Sequence, residues 1–146
     1  MASDTNVIPR TPLLLGWAGV IPFAFLSIAA ALDVRLPWFE ARSLLIGYGA
    51  CILSFMGGVQ WGLAMLTPAD QQSRTRFAVS VTPALFAWIS LALPSSIALL
   101  VLALSFASLF AYDAYTVRTD RSPIWYLPYR RQLTVAVIAS LLVALF

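Results

Sequence analysis

Few side chains in this sequence are able to do chemistry, and one amide and one carboxylate stand out among them. Gln60 lies inside an otherwise apolar run, next to Trp61, and Asp113 ends another such run. An amide among apolar side chains needs a hydrogen-bond partner, so Gln60 predicts either an interhelical hydrogen bond or a ligand contact with Trp61 as a neighbouring wall. Asp113 at the end of a helix needs a cationic partner. The candidates are the arginines that follow it, Arg118, Arg121 and Arg130.

The groups that are missing exclude most enzyme chemistry. The sequence has no histidine, all nine basic residues are arginine, and Cys51 is the single cysteine. A Ser/His/Asp triad, a lysine Schiff base, a disulfide framework, a Cys/His zinc site and haem ligation through histidine therefore lack their parts. We predict no catalytic residue, no metal site and no cofactor, and a non-covalent contact with a lipid, quinone or pigment stays open.

The composition is that of a membrane protein. Of the 146 residues 61% are hydrophobic and only 10% are charged, whereas about a quarter of the residues of a soluble domain are charged. Apolar runs use up most of the chain and leave no room for a separate soluble module. The net charge of +3 lies in short segments between these runs, which argues against a nucleic-acid surface.

The apolar runs predict a single all-α domain over residues 1–146, a polytopic helix bundle with about five transmembrane helices. The predicted spans are residues 12–32, 43–66, 77–93, 96–112 and 130–146. A cleaved signal peptide is the rival interpretation of the first run, but that run is longer than such a peptide needs. The last apolar stretch is short, so a tilted or re-entrant segment is the alternative to a full span there.

The arginines predict the orientation of the bundle. With five spans, seven of the nine arginines fall on the side of the N-terminus, and only Arg35 and Arg42 fall on the other. Positively charged short loops stay in the cytoplasm, so the N-terminus is predicted to be cytoplasmic.

A strip of small residues follows one face of the second predicted helix. We name it the small-residue face, and it consists of Gly47, Cys51, Ser54, Gly58 and Gly62. Such strips let helix backbones approach closely in lipid, so this face is predicted to pack against another helix. Gln60 projects from nearly the opposite face, at about 100° per residue. The second helix is therefore expected to be buried on both sides, at the centre of the bundle.

Aromatic residues and adjacent arginines mix shortly before the last predicted span. The residues are Trp125, Tyr126, Tyr129, Arg130 and Arg131. This mixture is typical of the membrane interface, where the arginines contact anionic lipid head groups. A specific head-group site or a partner-protein contact is the alternative.

Several motifs together resemble a known family. They are Gly16-Trp17-Ala18-Gly19 with Pro22, the block from Ser54 to Gly62, Pro83 with Trp88, Asp113, and Trp125-Tyr126 with Arg130. Over nearly the whole chain this combination resembles the bacterial membrane family of unknown function related to mitochondrial transmembrane protein 69. The resemblance implies that the position of Gln60 often holds histidine, and this chain lacks that imidazole.

The sequence favours a non-enzymatic accessory, scaffold or assembly subunit of a larger membrane complex, with membrane lipids and other transmembrane subunits as partners. Its basis is the lack of catalytic groups, the expectation of no buried charge, and the small helix faces. The resemblance suggests a respiratory or photosynthetic complex in a bacterial inner membrane, or the mitochondrial inner membrane of a eukaryote. One alternative is a small neutral-solute transporter or channel with a polar path along Ser54, Gln60, Trp61 and Thr82. The other is a lipid-modifying enzyme that uses Asp113 and the Arg130-Arg131 pair at the cytoplasmic face.

Overall fold

The computed structural model describes residues 8–34, 40–66, 71–117 and 123–146, and these residues are helical with no strand among them. The helices are α1 (Arg10–Ala31), α2 (Ala41–Met65), α3 (Gln71–Ser90), α4 (Ser95–Thr116) and α5 (Tyr126–Val143). The prediction of an all-helical fold is confirmed. In the described part of the chain α1, α2 and α4 are long and apolar enough to cross a membrane.

Three helix ends lie four or more residues beyond the predicted ones, so these helices are longer there than their apolar runs. Helix α3 begins at Gln71 rather than at 77, α4 continues to Thr116 rather than ending at 112, and α5 begins at Tyr126 rather than at 130. Apolarity alone therefore underestimated these helices. The added turns carry Arg76 in α3, Asp113 in α4 and Tyr129 in α5, and all three side chains are buried in the bundle.

The helices form a ring in chain order that α5 closes by packing on α1, and α2 also contacts α4 across the ring. The core lies where α1, α2, α4 and α5 meet. The Phe23 ring lies 4.9 Å from the Tyr48 ring and 6.1 Å from the Phe106 ring, in edge-to-face geometry. The Tyr48 hydroxyl donates to the carbonyl of Gly19 at 2.9 Å, so the polar end of this aromatic cluster is also partnered.

Helices α2 and α3 approach each other closely at Gly57. A Cβ at this position would lie 2.5 Å from the backbone carbonyl oxygen of Ser80 and 3.4 Å from the Pro83 ring. Only a residue without a side chain allows this approach. Gly57 therefore sets the distance between the two helices.

Among the described residues, the small-residue face of α2 does not pack against another helix. A Cβ added at Gly47, Gly58 or Gly62 would meet nothing within 4 Å, and Cys51 is exposed. The Ser54 hydroxyl donates to the Ala50 carbonyl of its own helix. The expectation that α2 is buried on both sides is therefore wrong for the described chain. The glycines that serve its packing within the bundle, Gly49 and Gly57, lie on the face of Gln60.

Candidate functional site

Three helices bring an amide, a carboxylate and a guanidinium together at one end of the bundle. Gln60 comes from the last turns of α2, Asp113 from the last turn of α4 and Arg130 from the first turns of α5. Helix α4 continues beyond its apolar run and so includes Asp113, while α5 begins before its own and includes Arg130. These two helices pack against each other. We call these three residues the polar cluster.

Both carboxylate oxygens of Asp113 accept a hydrogen bond. Arg130 Nε donates to Oδ2 at 3.0 Å, and Gln60 Nε2 donates to Oδ1 at 2.5 Å. The exposed fractions are 3% for Gln60, 3% for Asp113 and 6% for Arg130. A buried carboxylate is tolerated only when it is paired and hydrogen-bonded, and the polar cluster supplies both. The sequence indicated no buried charge, and the buried Asp113–Arg130 pair shows that this expectation is wrong.

Two atoms of the polar cluster have no hydrogen-bond partner among the described residues. They are Gln60 Oε1 and Arg130 Nη2, and both are buried. The phenol of Tyr126 lies close enough to interact electrostatically with Asp113 and Arg130. An unpartnered buried polar atom costs about 1–3 kcal/mol. Gln60 Oε1 is a free acceptor and Arg130 Nη2 a free donor within the polar cluster.

A cavity of about 130 Å³ adjoins the polar cluster where α2, α4 and the first turn of α5 meet. Gln60 and Asp113 form part of its lining. Apolar side chains and Tyr126 complete most of the wall; the apolar residues are Val59, Leu63 and Val117. The arrangement offers a small, mainly apolar space with hydrogen-bonding groups at one place.

The aromatic segment predicted to precede the last span lies largely within α5, and it ties α5 to α1 instead of lying wholly at the surface. The Tyr129 hydroxyl lies 2.8 Å from the Pro12 carbonyl and 3.0 Å from the Leu13 carbonyl. Gly16 makes this contact possible, since a Cβ there would clash with the Tyr129 hydroxyl. The Trp125 ring lies 6.5 Å from the Tyr129 ring, edge to face.

The predicted lipid contact of this segment is therefore wrong for two of its residues. Tyr129 and Arg130 are buried, because each finds its hydrogen-bond partners on another helix of the bundle. Arg131 is exposed, and Trp125 and Tyr126 are partly exposed. Trp125, Tyr126 and Arg131 therefore remain the candidates for contact with lipid head groups.

Of the arginines predicted to pair with Asp113, the structure brings Arg130 to it, while Arg118 and Arg121 lie outside the described residues. Trp61 does not form a wall beside the Gln60 amide. It is 48% exposed, does not line the cavity, and packs edge to face on Phe77 at 4.9 Å. Neighbouring positions on a helix point about 100° apart, which separates Trp61 from the face of Gln60.

The polar path suggested for a transporter does not form as predicted. Thr82 lines a separate groove of about 410 Å³ between α3 and α4, and its hydroxyl donates to the Ala78 carbonyl of its own helix. Ser54 lies on the small-residue face, and Gln60 lies at the polar cluster. Thr82, Ser54 and Gln60 therefore lie in different parts of the bundle and do not line one path.

Sequence reasoning missed the burial of a second arginine, Arg76. Its side chain is 1% exposed in the first turns of α3. The predicted span of residues 77–93 left Arg76 in a loop, where it served only as one of the arginines that predict the orientation. Its position directly before an apolar run was the available signal. Long cationic side chains at such boundaries are usually interpreted as reaching towards water, and this one is inside the protein.

The long apolar helices define the class of the protein, a helical integral membrane protein. Residues 8–146 match the family described as "Protein of unknown function (DUF3429)", and the chain belongs to that family. The chain is also 36% identical over 142 residues to "Transmembrane protein 69" of Xenopus tropicalis, which covers 91% of this chain and 53% of that protein. The chain thus spans about half the length of this relative. No solved structure matches it. The resemblance seen in the sequence is confirmed.

Proposed function

We propose that this chain is a non-enzymatic, multi-pass membrane protein that acts as an accessory, scaffold or assembly subunit of a larger membrane complex. The observation that carries the proposal is the uncovered small-residue face of α2. Around Gly47, Gly58 and Gly62 an added Cβ would meet nothing within 4 Å. Helices associate in lipid through such faces because the backbones can approach closely. A helix of another subunit is the partner that this face fits.

The hydrogen bonding of the polar cluster supports a non-enzymatic role. Asp113 is the acid that a lipid-modifying enzyme would need, and both of its oxygens already accept hydrogen bonds from within the chain. A general base must reach the proton that it abstracts. An acid held by Arg130 and Gln60 fits the task of joining three helices.

The proposed topology has five spans with a cytoplasmic N-terminus, in a bacterial inner membrane or the mitochondrial inner membrane. Helix α3 has 20 residues and α5 has 18, which correspond to about 30 Å and about 27 Å of helix. These lengths approach the hydrocarbon thickness, and local thinning accommodates the difference. The arginine bias of the N-terminal side supports the orientation.

Native gel electrophoresis after gentle detergent extraction tests the subunit role. The family resemblance makes respiratory and photosynthetic complexes the first assemblies to probe. The natural chain should migrate with a larger assembly, and Gly58→Leu should release it because the leucine fills the open face. Ala18→Leu, at an exposed position of α1, is the matched control and should leave the assembly intact. A natural chain that migrates as a lone monomer would contradict the proposal, as would a Gly58→Leu chain that stays assembled.

A further inference from the structure

The cavity beside the polar cluster has one unsatisfied hydrogen-bonding atom in its lining residues, and that atom is an acceptor. Gln60 Nε2 is used by Asp113, whereas Gln60 Oε1 is buried without a donor among the described residues. The Thr116 hydroxyl, also in the lining, lies 3.1 Å and 3.2 Å from the carbonyls of Tyr112 and Asp113, so its proton goes to its own helix. A group that occupies the cavity and satisfies Gln60 must therefore donate a hydrogen bond.

The charges around the cavity favour a neutral donor. The Asp113 carboxylate is compensated by Arg130 at 3.0 Å, so the lining presents no uncompensated negative charge. A cationic donor placed there would lie near the guanidinium without an anion of its own, which is unfavourable at low dielectric. A hydroxyl group donates without adding charge.

The size and walls of the cavity favour an amphipathic occupant over water alone. Its volume of about 130 Å³ is several times the ~10–15 Å³ that one water requires. Val59, Leu63 and Val117 offer no hydrogen bonds, and a buried water needs two to four polar partners. One hydroxyl on an apolar body matches both parts of the lining.

We propose that this cavity binds the hydroxyl head of a neutral membrane lipid, which donates its hydrogen bond to Gln60 Oε1. Acylglycerols and isoprenoid alcohols share this chemistry. The proposal goes beyond the accessory role and does not depend on it, because it rests on the cavity at the polar cluster and not on the small-residue face.

Native mass spectrometry of the full chain in detergent tests the proposal with two pairs of lipids. Dioleoylglycerol is compared with its 3-O-acetyl ester, and geranylgeraniol with its acetate, so the ester of each pair lacks the hydroxyl donor and is larger by one acetyl group. We expect at least one of the two alcohols to be retained and its ester to be lost. The alcohol that is retained identifies the source. Retention of neither alcohol, or equal retention of an alcohol and its ester, would overturn the proposal.

Variants and labelling locate the site. Gln60→Met keeps the length of the side chain and removes the acceptor, and should lower the retained lipid by about fivefold, the loss expected for one hydrogen bond. Val59→Phe fills the cavity and leaves the three residues of the polar cluster unsubstituted, so it provides a second test if Gln60→Met does not fold. Ser108→Ala, in the separate groove between α3 and α4, is the control.

A diazirine form of the retained alcohol should label the peptides that contain Leu63 or Tyr126. Labelling confined to other lipid-facing peptides would overturn the proposal, as would unchanged binding in both Gln60→Met and Val59→Phe.

Discussion

Arg130→Met is the substitution that most directly tests the polar cluster. Methionine keeps much of the length of the arginine stem and removes the charge, so Asp113 stays buried with Gln60 as its remaining hydrogen-bond donor among the described side chains. Arg131→Met is the matched control, because Arg131 is the adjacent residue on the same helix and is exposed. The two variants lose the same charge from the same turn and differ in burial.

The expected loss follows from the geometry of the pair. At an effective dielectric constant of about 20, two unit charges separated by the 3.0 Å between Arg130 Nε and Asp113 Oδ2 attract each other by roughly 5–6 kcal/mol. Burial of both groups offsets much of this attraction in the intact protein. Removal of one partner leaves an uncompensated buried charge and typically costs about 3–5 kcal/mol. Since Gln60 continues to donate to Asp113, we expect about 3 kcal/mol for Arg130→Met, and less than about 0.5 kcal/mol for Arg131→Met.

Reversible unfolding in mixed micelles with increasing SDS fraction measures these free energies. Asp113→Asn added to Arg130→Met should recover part of the lost stability, because the asparagine is neutral and still accepts from Gln60. Equal stabilities of Arg130→Met and Arg131→Met would refute the assignment of the pair as buried and structural. A double variant less stable than Arg130→Met alone would refute the argument that the loss arises from the stranded carboxylate.

Three further outcomes are expected. Gly57→Ala should cost about 1–3 kcal/mol in the same unfolding assay, because its Cβ would lie 2.5 Å from the Ser80 carbonyl oxygen, whereas Gly58→Ala next to it should be nearly neutral; equal effects would contradict the close approach of α2 and α3. Tyr129→Phe should lose about 0.5–1.5 kcal/mol with its hydrogen bonding to α1 carbonyls, and an unchanged unfolding curve would refute that contribution. Cys51, exposed near the middle of α2, should resist a membrane-impermeant maleimide in intact membranes and react after SDS denaturation, and rapid labelling in intact membranes would contradict the spanning of α2.

The helices were predictable from the sequence because long apolar runs with few charges are typical of membrane-spanning helices. Their polar ends were not, since hydropathy treats a charged residue as the end of a helix. Arg76 and Asp113 lie within helices and are buried in the bundle. That burial depends on contacts between helices far apart in sequence, which no local pattern encodes.

The parts of the candidate site were predictable, but their arrangement was not. Gln60 and Asp113 stand out because a polar group in an apolar run needs a partner. Three arginines follow Asp113, and the choice of Arg130 depends on how α5 docks on α4. The partner of Gln60 was equally undetermined, because Asp113 is 53 residues away and on another helix.

The first turns of α5 connect the polar cluster to the rest of the ring. Tyr129 binds α1, while the next residue, Arg130, binds α4, and Asp113 there accepts from α2 through Gln60. Release of α5 would therefore break contacts to both of its neighbours and strand the Asp113 carboxylate. Tyr126 lines the cavity and belongs to these same turns. A molecule that binds in the cavity of the folded chain and not to the unfolded one stabilises the closed ring by mass action, so occupation of the cavity and docking of α5 should strengthen each other.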